Sequence, residues 1–387
     1  MKILLATGIY PPDAGGPATY TRAFARAALS SEHEVQVVAY GEKDGIEHVD
    51  GYPVERIGRN RNILARYWKF ADTVRRRARL VDVVYLQGPV SEGLPGTIGA
   101  MLAGKSTVMK VVGDYAWEMY QGTGNGEREA GNRERGTGNG EPGTGRKELL
   151  DEFLTHRHVG TVRVLEWIER WTAKRAIRMI VPSRYLASVV KAWGVPEGRI
   201  RVIYNAAEPL PSSTMRLNIE GKRVMLTAVR CVPWKGVDFI IGIMSDLPSD
   251  VVLVVAGDGP SLDDWKKLAS ERGVGDRVRF VGRLDRTALA DWYRAADLFV
   301  LPSGYEGFPH VVPEAASVGL PSFVSDKGGN PETRELLGEL VRVLPYGDVG
   351  AWRTALSGPW PERTTPAVPD ALRFETMVKK TLEALNL

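Results

Sequence analysis

The chain has 387 residues, of which 43% are hydrophobic and 25% are charged, and its formal net charge is +4. This composition excludes wholesale disorder and fibrous folds, and so small a positive excess does not indicate nucleic acid as the partner. The single cysteine, Cys231, excludes an intrachain disulfide and a cysteine-based zinc site. A reducing, cytoplasmic setting fits, and no run approaches the length of a transmembrane helix.

Short apolar runs rich in β-branched residues alternate with helical patterns along most of the chain. Runs that are apolar on both faces are typical of buried parallel strands, and helices between them imply right-handed βαβ crossovers. The first series is predicted at 2–7, 34–40, 82–87, 107–112, 178–182 and 201–204. The second series is predicted at 223–229, 251–256, 277–281, 297–301 and 321–325. We therefore expect an α/β protein of two Rossmann-like, doubly wound parallel-sheet domains that face a cleft.

A stretch rich in proline and serine, 205–214, has the composition of a linker and sets the expected domain boundary. The first domain is predicted over 1–208 and the second over 209–369. A final helix over about 371–385 has apolar residues on one face. We expect this last segment, 370–387, to cross back and cover the first domain.

Residues 121–146 interrupt the alternating pattern. This segment holds nine glycines in 26 residues and repeats Gly-Thr-Gly-Asn-Gly-Glu at 122–127 and 136–141. It is predicted to be a flexible insertion, with a functional flap over the cleft as the alternative. It lacks a Gly-Lys-Ser/Thr ending, and no strand leads directly into it, which excludes a phosphate-binding P-loop.

In each predicted domain, one motif follows the first strand, at the sheet edge where α/β proteins bind ligands. Gly15 and Gly16 precede a predicted helix, so backbone N–H groups can approach an anion; a plain strand–helix turn is the alternative. In the second domain, Arg230 and Lys235 follow the strand at 223–229. Two fixed cations there could hold a diphosphate and stabilise its departure, unless they are only solvated surface charges.

The most specific motif is 303–321, which carries Glu306 and Glu314 across a predicted loop-to-helix junction. Both carboxylates can point into one cleft, and the N–H groups of the turn 307–312 lie near the start of a helix. This combination suits a sugar diphosphate, because N–H groups bind phosphate and carboxylates bind sugar and ribose hydroxyls. The alternative is a capped surface helix with incidental acids.

A fourth motif, 255–260, places Gly257 in a tight turn after a buried strand. A dinucleotide fingerprint would need a further glycine that is absent, so we interpret the motif as a turn beside the binding pocket. The nearby acids Asp258, Asp263 and Asp264 are interpreted as surface residues. No metal site is predicted.

These motifs, in this order and spacing, resemble those of the family 4 retaining glycosyltransferases of the GT-B fold. The hallmark is Glu306-Gly-Phe-(x)5-Pro-Glu314-Ala, followed by Gly-Leu-Pro at 319–321. The resemblance covers nearly the whole chain apart from 121–146. It implies a metal-independent, retaining enzyme without a cofactor, which moves a sugar from a nucleotide-diphosphate sugar to a hydroxyl of a glycan or lipid-linked acceptor.

The resemblance also implies residue roles. Arg230 and Lys235 would hold the diphosphate in place of a metal, Glu314 the nucleotide ribose, and Glu306 the transferred sugar. The other implied donor contacts are Gly15, Gly16, Gly257, Arg283, Gly307, Phe308, Pro309, Val311 and Val312. Transfer would follow a front-face path through an oxocarbenium-like transition state, with the leaving phosphate oxygen taking the acceptor proton.

The sequence departs from the family at two positions. Many relatives carry a histidine after the strand that matches 107–112, whereas this chain has Val-Gly-Asp at 112–114. Asp114 is predicted to replace that histidine in contacting sugar or acceptor, or else to cap the following helix. Pro309 removes one backbone N–H from the donor loop.

A densely basic stretch, Arg56–Arg79, carries Tyr67, Trp68 and Phe70 among its charges. A basic helix with aromatic residues can lie on an anionic membrane, which would suit a lipid-linked acceptor and a cytoplasmic protein at the membrane face. The alternative is a solvated helix whose aromatic residues pack inward. No recognised nucleic-acid-binding module surrounds the stretch.

Two other enzymatic functions and one non-enzymatic function are alternatives on the same fold. A nucleotide-sugar epimerase would need additional acid/base groups, and the five histidines form no evident set; a pyridoxal-phosphate phosphorylase would need a cofactor lysine that cannot be placed. A non-catalytic nucleotide-sugar-binding protein is the non-enzymatic alternative. The donor sugar, base and acceptor are not indicated by the sequence.

Overall fold

The computed structural model describes residues 1–13, 15–122, 149–206, 210–211, 219, 221–366 and 368–386. It divides into two compact units. The described part of the first unit comprises 1–13, 15–122, 150–203 and 375–386, and residue 149 with the described part of 204–374 forms the second. The predicted insertion at 121–146 lies outside the described residues from 123 onward, as do 207–209 and 212–214 of the expected linker.

The first unit is built on an eight-stranded sheet in the order β3-β4-β2-β1-β5-β6-β7-β8. Every neighbouring pair is parallel except β3 with β4, which are antiparallel. The strands are β1 Lys2–Thr7, β2 Glu34–Gly41, β3 Gly45–Val49, β4 Tyr52–Gly58, β5 Val83–Leu86, β6 Thr107–Lys110, β7 Arg178–Val181 and β8 Ile200–Val202. The helices are α1 Gly16–Ser30, α2 Ile63–Ala78, α3 Gly93–Leu102, α4 Tyr115–Gly122, α5 Leu150–Thr155, α6 Gly160–Arg175 and α7 Arg184–Ala192.

The second unit is built on a six-stranded, all-parallel sheet in the order β11-β10-β9-β12-β13-β14. The strands are β9 Arg223–Ala228, β10 Val251–Ala256, β11 Val278–Gly282, β12 Leu298–Leu301, β13 Ser322–Ser325 and β14 Val341–Leu344. The helices are α8 Val237–Ile243, α9 Leu262–Glu271, α10 Arg286–Ala295, α11 Val311–Ala316, α12 Asn330–Leu337 and α13 Val349–Ser357. A last helix, α14 Phe374–Leu385, follows.

Hydrophobic cores lie on both faces of the second sheet. Met225 and Leu253 belong to one core, and their chain neighbours Leu226 and Val254 belong to the other. This alternation follows from the two-residue period of a strand, and it requires runs that are apolar at every position. The α/β class and both parallel sheets predicted from the sequence are therefore confirmed.

Three strands were not predicted, namely β3, β4 and β14. Their sequences include polar residues: Glu55 and Arg56 lie in β4, and Arg342 lies in β14. Strand β3 is almost wholly exposed, so it needs no apolar run. Both β3 and β14 lie at a sheet edge, where one side of the strand meets solvent. The apolar-run criterion found the edge strands β8 and β11, but it missed these three strands, including the interior strand β4.

The last helix belongs to the first unit, although it follows the second unit in the chain. It begins at Phe374, after a short 3-10 turn, rather than at the predicted 371. Arg178, at the start of β7, donates to the backbone carbonyls of Ala384 at 2.9 Å and Asn386 at 2.6 Å. A cation thus satisfies carbonyls at the end of α14 that have no partner within the helix.

The basic stretch Arg56–Arg79 is not one helix, because it begins in β4 and enters α2 only at Ile63. Most of its arginines form ion pairs inside the first unit: Arg56–Glu47, Arg59–Asp13, Arg61–Asp44, Arg75–Asp72, Arg76–Glu55 and Arg77–Glu55. Its aromatic residues divide, since Phe70 is buried, Tyr67 is half-buried and Trp68 is exposed. Membrane contact through this stretch stays a prediction, with fewer unpaired cations than expected.

No helix within the described residues is long and apolar enough to cross a membrane.

Lys110 is a buried cation in β6 of the first unit. Its Nζ lies 3.3 Å from the centroid of the Tyr20 ring, and burial lowers the pKa of the Lys110 ammonium from 10.5 to about 7. Below that pH the native state buries a charge that the unfolded chain leaves in water. The resulting cost is relieved as the pH rises from about 7 to 10.5, because only the unfolded chain then holds the proton.

We expect Lys110→Met to raise the Tm by a few degrees, and to raise it more at pH 6 than at pH 9. Removing the ammonium abolishes a cost that is full at the lower pH and partly relieved at the higher one. Differential scanning calorimetry at both pH values, with the exposed Lys43→Met as the matched control, measures this difference. A gain that is larger at pH 9 would contradict the burial of a titrating amine.

Candidate active site

A partly buried ion pair joins two loops at the carboxyl edge of the second sheet. Lys235 lies in a 3-10 turn after β9, and Glu306 lies in the loop after β12. The Nζ of Lys235 is 2.6 Å from Oε1 of Glu306, and the hydroxyl of Ser303 donates to the same oxygen at 2.8 Å. The adjacent order of β9 and β12 in the sheet brings these loops together, so two sequence-predicted site residues, 71 positions apart, are in direct contact.

Glycines allow the loops to approach one another this closely. Gly236, with φ of 67°, follows the turn, and a Cβ there would lie 2.5 Å from the carbonyl oxygen of Pro302. Gly328, with φ of 60°, faces the backbone of Glu306 in the same way, and the N–H of Gly329 donates to the Glu306 carbonyl at 2.7 Å. Any larger residue at Gly236 or Gly328 would displace the loop that carries the carboxylate.

Glu314 lies in α11, one loop further along the chain, and is also buried. The hydroxyl of Tyr293, from α10, donates to its Oε2 at 3.1 Å. Burial, followed by the Glu314 charge, raises the pKa of this phenol well above its usual value, so Tyr293 remains a donor. Arg286, at the start of α10, has its Nη1 3.8 Å from the other oxygen. Both neighbours therefore hold the two oxygens of the Glu314 carboxylate in place.

Arg230 is exposed at the end of β9, next to the turn that contains Gly257. A Cβ on Gly257, which has φ of 142°, would overlap the carbonyl oxygen of Val229. The N–H of Cys231 donates to the Asp258 carbonyl at 2.9 Å. This turn therefore supports the backbone beneath Arg230, which agrees with its interpretation as a turn beside the site.

The segment between the two glutamates is buried from Gly307 to Pro309. The Phe308 ring contacts that of Tyr204, with centroids 5.1 Å apart. The N–H of Val312 already donates to the Pro309 carbonyl at 3.2 Å, inside the turn. Because the Val312 N–H is already engaged, the N–H of Val311 is the better candidate for a hydrogen bond to the donor phosphate at this helix start.

Arg283 directly follows β11, and its side chain is exposed. The left-handed Gly282, with φ of 69°, ends the strand just before it, and Asp285 caps α10 by accepting from the N–H of Ala288 at 2.8 Å. Arg283 therefore lies at the carboxyl edge of the same sheet as the glutamates. The implied contact of Arg283 with the nucleotide of the donor stays a prediction.

Gly15 and Gly16 belong to the first unit, where Gly16 begins α1. Gly15 has φ of 154°, and a Cβ there would lie 2.8 Å from the Ile9 side chain. No side chain caps this end of the helix. The backbone is open at Gly16, where an added Cβ would meet nothing within 4 Å. Gly16 thus leaves open space at the start of a helix, and the contact of these two glycines with a donor stays a prediction.

Asp114 caps a helix in the first unit. It is 1% exposed, and its Oδ1 accepts from the N–H of Trp117 at 2.8 Å at the start of α4. Glu169 accepts from the N–H of Tyr115 at 2.7 Å beside it. Burial is the main cause that raises the pKa of Asp114 to about 6. The geometry shows the capping role that the sequence offered as the alternative, and a contact of Asp114 with sugar or acceptor stays a prediction.

Sequence reasoning gave no role to Ser303, Tyr293 or Arg286. Ser303 opens the glutamate motif, so its position was a usable signal. Tyr293 and Arg286 lie in the preceding helix, at no recognisable spacing from Glu314. Only the packing of α10 against α11 reveals them as its partners. Among the described residues, no group of three or more His, Cys, Asp or Glu side chains could hold a metal ion.

Comparison with known proteins identifies the family. The model for glycosyl transferases group 1 matches residues 214–336, and the model for a glycosyl transferase 4-like domain matches residues 15–206. The two matches together span most of the chain and include both glutamates. The chain belongs to the group 1 glycosyltransferases. This group 1 glycosyltransferase is thereby a transferase enzyme, and the resemblance inferred from its motifs is confirmed.

Named relatives support this assignment. An uncharacterised glycosyltransferase of Methanocaldococcus jannaschii is 24% identical over 91% of this chain and 85% of its own length. A GDP-mannose-dependent α-(1-6)-phosphatidylinositol monomannoside mannosyltransferase of Mycolicibacterium smegmatis is 29% identical over 52% of this chain. That match spans about half of the mannosyltransferase, 54% of its length.

Solved structures confirm the GT-B fold. HepE of Anabaena, crystallised with UDP and glucose, superposes with a TM-score of 0.73 at 17% identity, covering 100% of this chain and 99% of that one. The lipopolysaccharide outer core galactosyltransferase WaaB superposes with a TM-score of 0.67 at 15% identity, covering 99% of each chain. At these identities the likeness establishes the fold alone.

Proposed function

We propose that this group 1 glycosyltransferase is a retaining, metal-independent enzyme that uses a nucleotide-diphosphate sugar as donor. The observation that carries the proposal is the partly buried contact of the Lys235 Nζ with Oε1 of Glu306, 2.6 Å apart. Lys235 is a fixed cation that can bear on a departing diphosphate, and Glu306 is a fixed carboxylate beside it that can bear on the sugar. Arg230, exposed on the same loop, supplies a second cation for the diphosphate.

The proposed reaction makes and breaks one bond at the anomeric carbon. The bond from that carbon to the phosphate oxygen breaks, and a bond to the acceptor hydroxyl oxygen forms on the same face of the sugar. The leaving phosphate oxygen takes the acceptor proton. Glu306 stabilises the positive charge on the oxocarbenium-like sugar, and the cations stabilise the negative charge on the diphosphate.

The nucleotide is proposed to bind through Glu314. Its carboxylate is held as an acceptor by Tyr293 and Arg286, which suits the paired hydroxyls of a ribose. HepE, which has the same fold, binds UDP, and the mycolicibacterial relative depends on GDP-mannose. Uracil and guanine nucleotides are therefore the first donors to examine.

A glycan or lipid-linked hydroxyl is proposed as the acceptor. The mycolicibacterial relative acts on phosphatidylinositol monomannoside, a lipid-linked sugar. Residues of the first unit are expected to choose the acceptor. The first unit is matched separately by the 4-like domain model.

Thermal-shift measurements with UDP-, GDP- and ADP-sugars test the proposed donor class. A true donor at 100 times its dissociation constant stabilises the protein by about 2.7 kcal/mol. Transfer of radiolabelled sugar, with the anomeric configuration of the product read by NMR, then tests the chemistry. Binding without turnover would instead favour a nucleotide-sugar-binding protein, conversion of the donor without an acceptor would favour an epimerase, and an inverted product would overturn retention.

We expect sugar transfer to survive chelation. The proposed charge on the diphosphate is balanced by the Lys235 ammonium and the Arg230 guanidinium, in the role that Mg²⁺ or Mn²⁺ fills in metal-dependent enzymes. Transfer rates measured with and without EDTA should agree within a factor of about two. Removal of a catalytic metal would lower the rate far more, because such a metal stabilises the transition state by several kcal/mol. Loss of transfer in EDTA that Mg²⁺ or Mn²⁺ restores would contradict the proposal.

A further inference from the structure

Three neighbouring helices of the first unit present an apolar outer surface. Helix α3 contacts α2 on one side and α6 on the other. Eight of the fifteen large apolar side chains that are exposed within the described residues lie on these three helices: Ile63, Leu64, Trp68, Ile98, Met101, Leu102, Val164 and Trp167. In the described part of the second unit, Val349 is the one such side chain. The exposed apolar surface is therefore a property of the first unit.

The spacing of these residues shows that the exposure is organised. Ile98, Met101 and Leu102 lie at i, i+3 and i+4 of α3, which is the spacing of a core-facing stripe, yet Leu102 is 65% exposed. On α2, Leu64 and Trp68 lie four residues apart and are 79% and 71% exposed. Apolar stripes that face solvent on adjacent helices indicate a surface that is covered in use.

The charges on the same surface are of one sign. The exposed residues of α6 include Arg163, Arg170, Lys174 and Arg175, and none of its exposed residues is acidic. The exposed residues of α2 and α3 likewise include no aspartate or glutamate. Of the two acids of α6, Glu169 is buried, and Glu166 is little exposed and pairs with His158 at 3.3 Å and with Arg170 at 3.4 Å. A partner that fits this surface carries negative charge over an apolar interior.

Helix α6 combines both features on one face. Val164, Trp167 and Trp171 recur at i, i+3 and i+7, with cations on either side. The guanidinium of Arg175 lies 3.8 Å from the Trp171 ring centroid, and the two tryptophan rings are 6.1 Å apart. Indole rings placed beside arginine and lysine are typical of segments at the headgroup level of a bilayer, where the ring is half in hydrocarbon and the cation meets phosphate.

We propose that the outer surface of α2, α3 and α6 binds the face of an anionic lipid bilayer. Leu64, Trp68 and Trp167 would enter the headgroup region, and Arg163 and Lys174 would meet lipid phosphates. This location differs from the arginines of 75–77, which are paired with Asp72 and Glu55. The proposal does not depend on the sugar donor, so it can fail while the proposed enzymatic function stands.

Co-sedimentation of the full chain with vesicles tests the surface. We expect the protein to bind vesicles of phosphatidylcholine mixed with phosphatidylglycerol, and to bind pure phosphatidylcholine vesicles much more weakly. The double variant Trp68→Ser/Trp167→Ser and the double variant Arg163→Glu/Lys174→Glu should each lower the affinity by about tenfold or more. A blue shift of tryptophan fluorescence on binding should be reduced in the first variant.

Matched controls separate this surface from general effects. Ile46→Ser alters a side chain as exposed as Trp167, both 58%, but on β3. Lys266→Glu/Lys267→Glu reverses two exposed charges on α9 of the second unit. Both controls should bind vesicles like the unaltered protein, and circular dichroism should show all variants folded.

Several results would overturn the proposal. The unaltered protein could fail to bind anionic vesicles, or the surface variants could bind as well as the controls. Equal binding to both kinds of vesicle would refute the role given to the cations. If size-exclusion chromatography shows a dimer that Trp68→Ser/Trp167→Ser converts to a monomer, the surface joins two copies of the chain instead.

Discussion

Replacing Lys235 by alanine is expected to lower kcat by about 10²–10³-fold, the scale of a lost charge-stabilising donor in other enzymes. The ammonium is proposed to act on charge that develops only as the diphosphate leaves, so the donor KM should change much less. Steady-state kinetics with saturating acceptor measure both. Lys266→Ala, an exposed lysine on α9, is the matched control and should be silent.

The same substitution should also lower stability, and this effect can be separated from the catalytic one. Lys235→Ala removes the ion pair of the buried Glu306 carboxylate and leaves its hydrogen bond from Ser303, which costs about 3 kcal/mol or less of unfolding free energy in a pair this little exposed. Adding Glu306→Ala removes the unpaired charge. The double variant should recover stability but not activity. An active Lys235→Ala enzyme would refute the assigned role.

Glu306→Ala and Glu314→Ala are expected to give opposite kinetic patterns. Glu306 is proposed to face the sugar where positive charge develops, so its loss should lower kcat by about 10²-fold or more. Glu314 is proposed to bind ribose equally in ground and transition states. Its loss should raise the donor KM by about 10–100-fold, the worth of hydrogen bonds to a charged group, and leave kcat nearly unchanged.

Tyr293→Phe provides an internal check on the second pattern. It removes the hydroxyl that orients Glu314 at 3.1 Å and keeps the ring in its buried position. A smaller rise in donor KM, in the same direction as for Glu314→Ala, is expected. Identical kinetic patterns for the two glutamate variants would show that the role assignment is wrong.

The fold was largely predictable because its central strands are apolar at every position. Leu253, Val254 and Val255 of β10 pack on both faces of the sheet. A short run that is apolar at every position is typical of a parallel strand buried on both faces. The edge strands β3 and β14 escaped prediction for the converse reason. Strand β3 is almost wholly exposed, and β14 has four residues with the exposed Arg342 among them, so neither shows a continuous apolar run.

The residues of the candidate site could be predicted where they lie within one short sequence motif. Glu306 and Glu314 lie in one motif, and Lys235 follows a recognisable strand end. What could not be predicted is the pairing, because Lys235 meets Glu306 only through the adjacency of β9 and β12. The sequence leaves Asp114 open between two roles, because a carboxylate three residues before a helical N–H is chemically the same whether it caps a helix or meets a substrate. The structure shows the cap, and the substrate contact stays a prediction.

The helix α14 has a consequence for the order in which the chain becomes structured during synthesis. A ribosome releases the sequence from its amino end, so every residue of the second unit emerges before residues 375–385, the part of α14 that belongs to the first unit. The first unit therefore lacks Met377, Val378 and Leu385, all buried in its finished form, until the second unit has emerged. Domains usually mature in the order in which they are made. Here the unit that is begun first is the one completed last, so a message truncated before codon 374 would yield a whole second unit beside an incomplete first one.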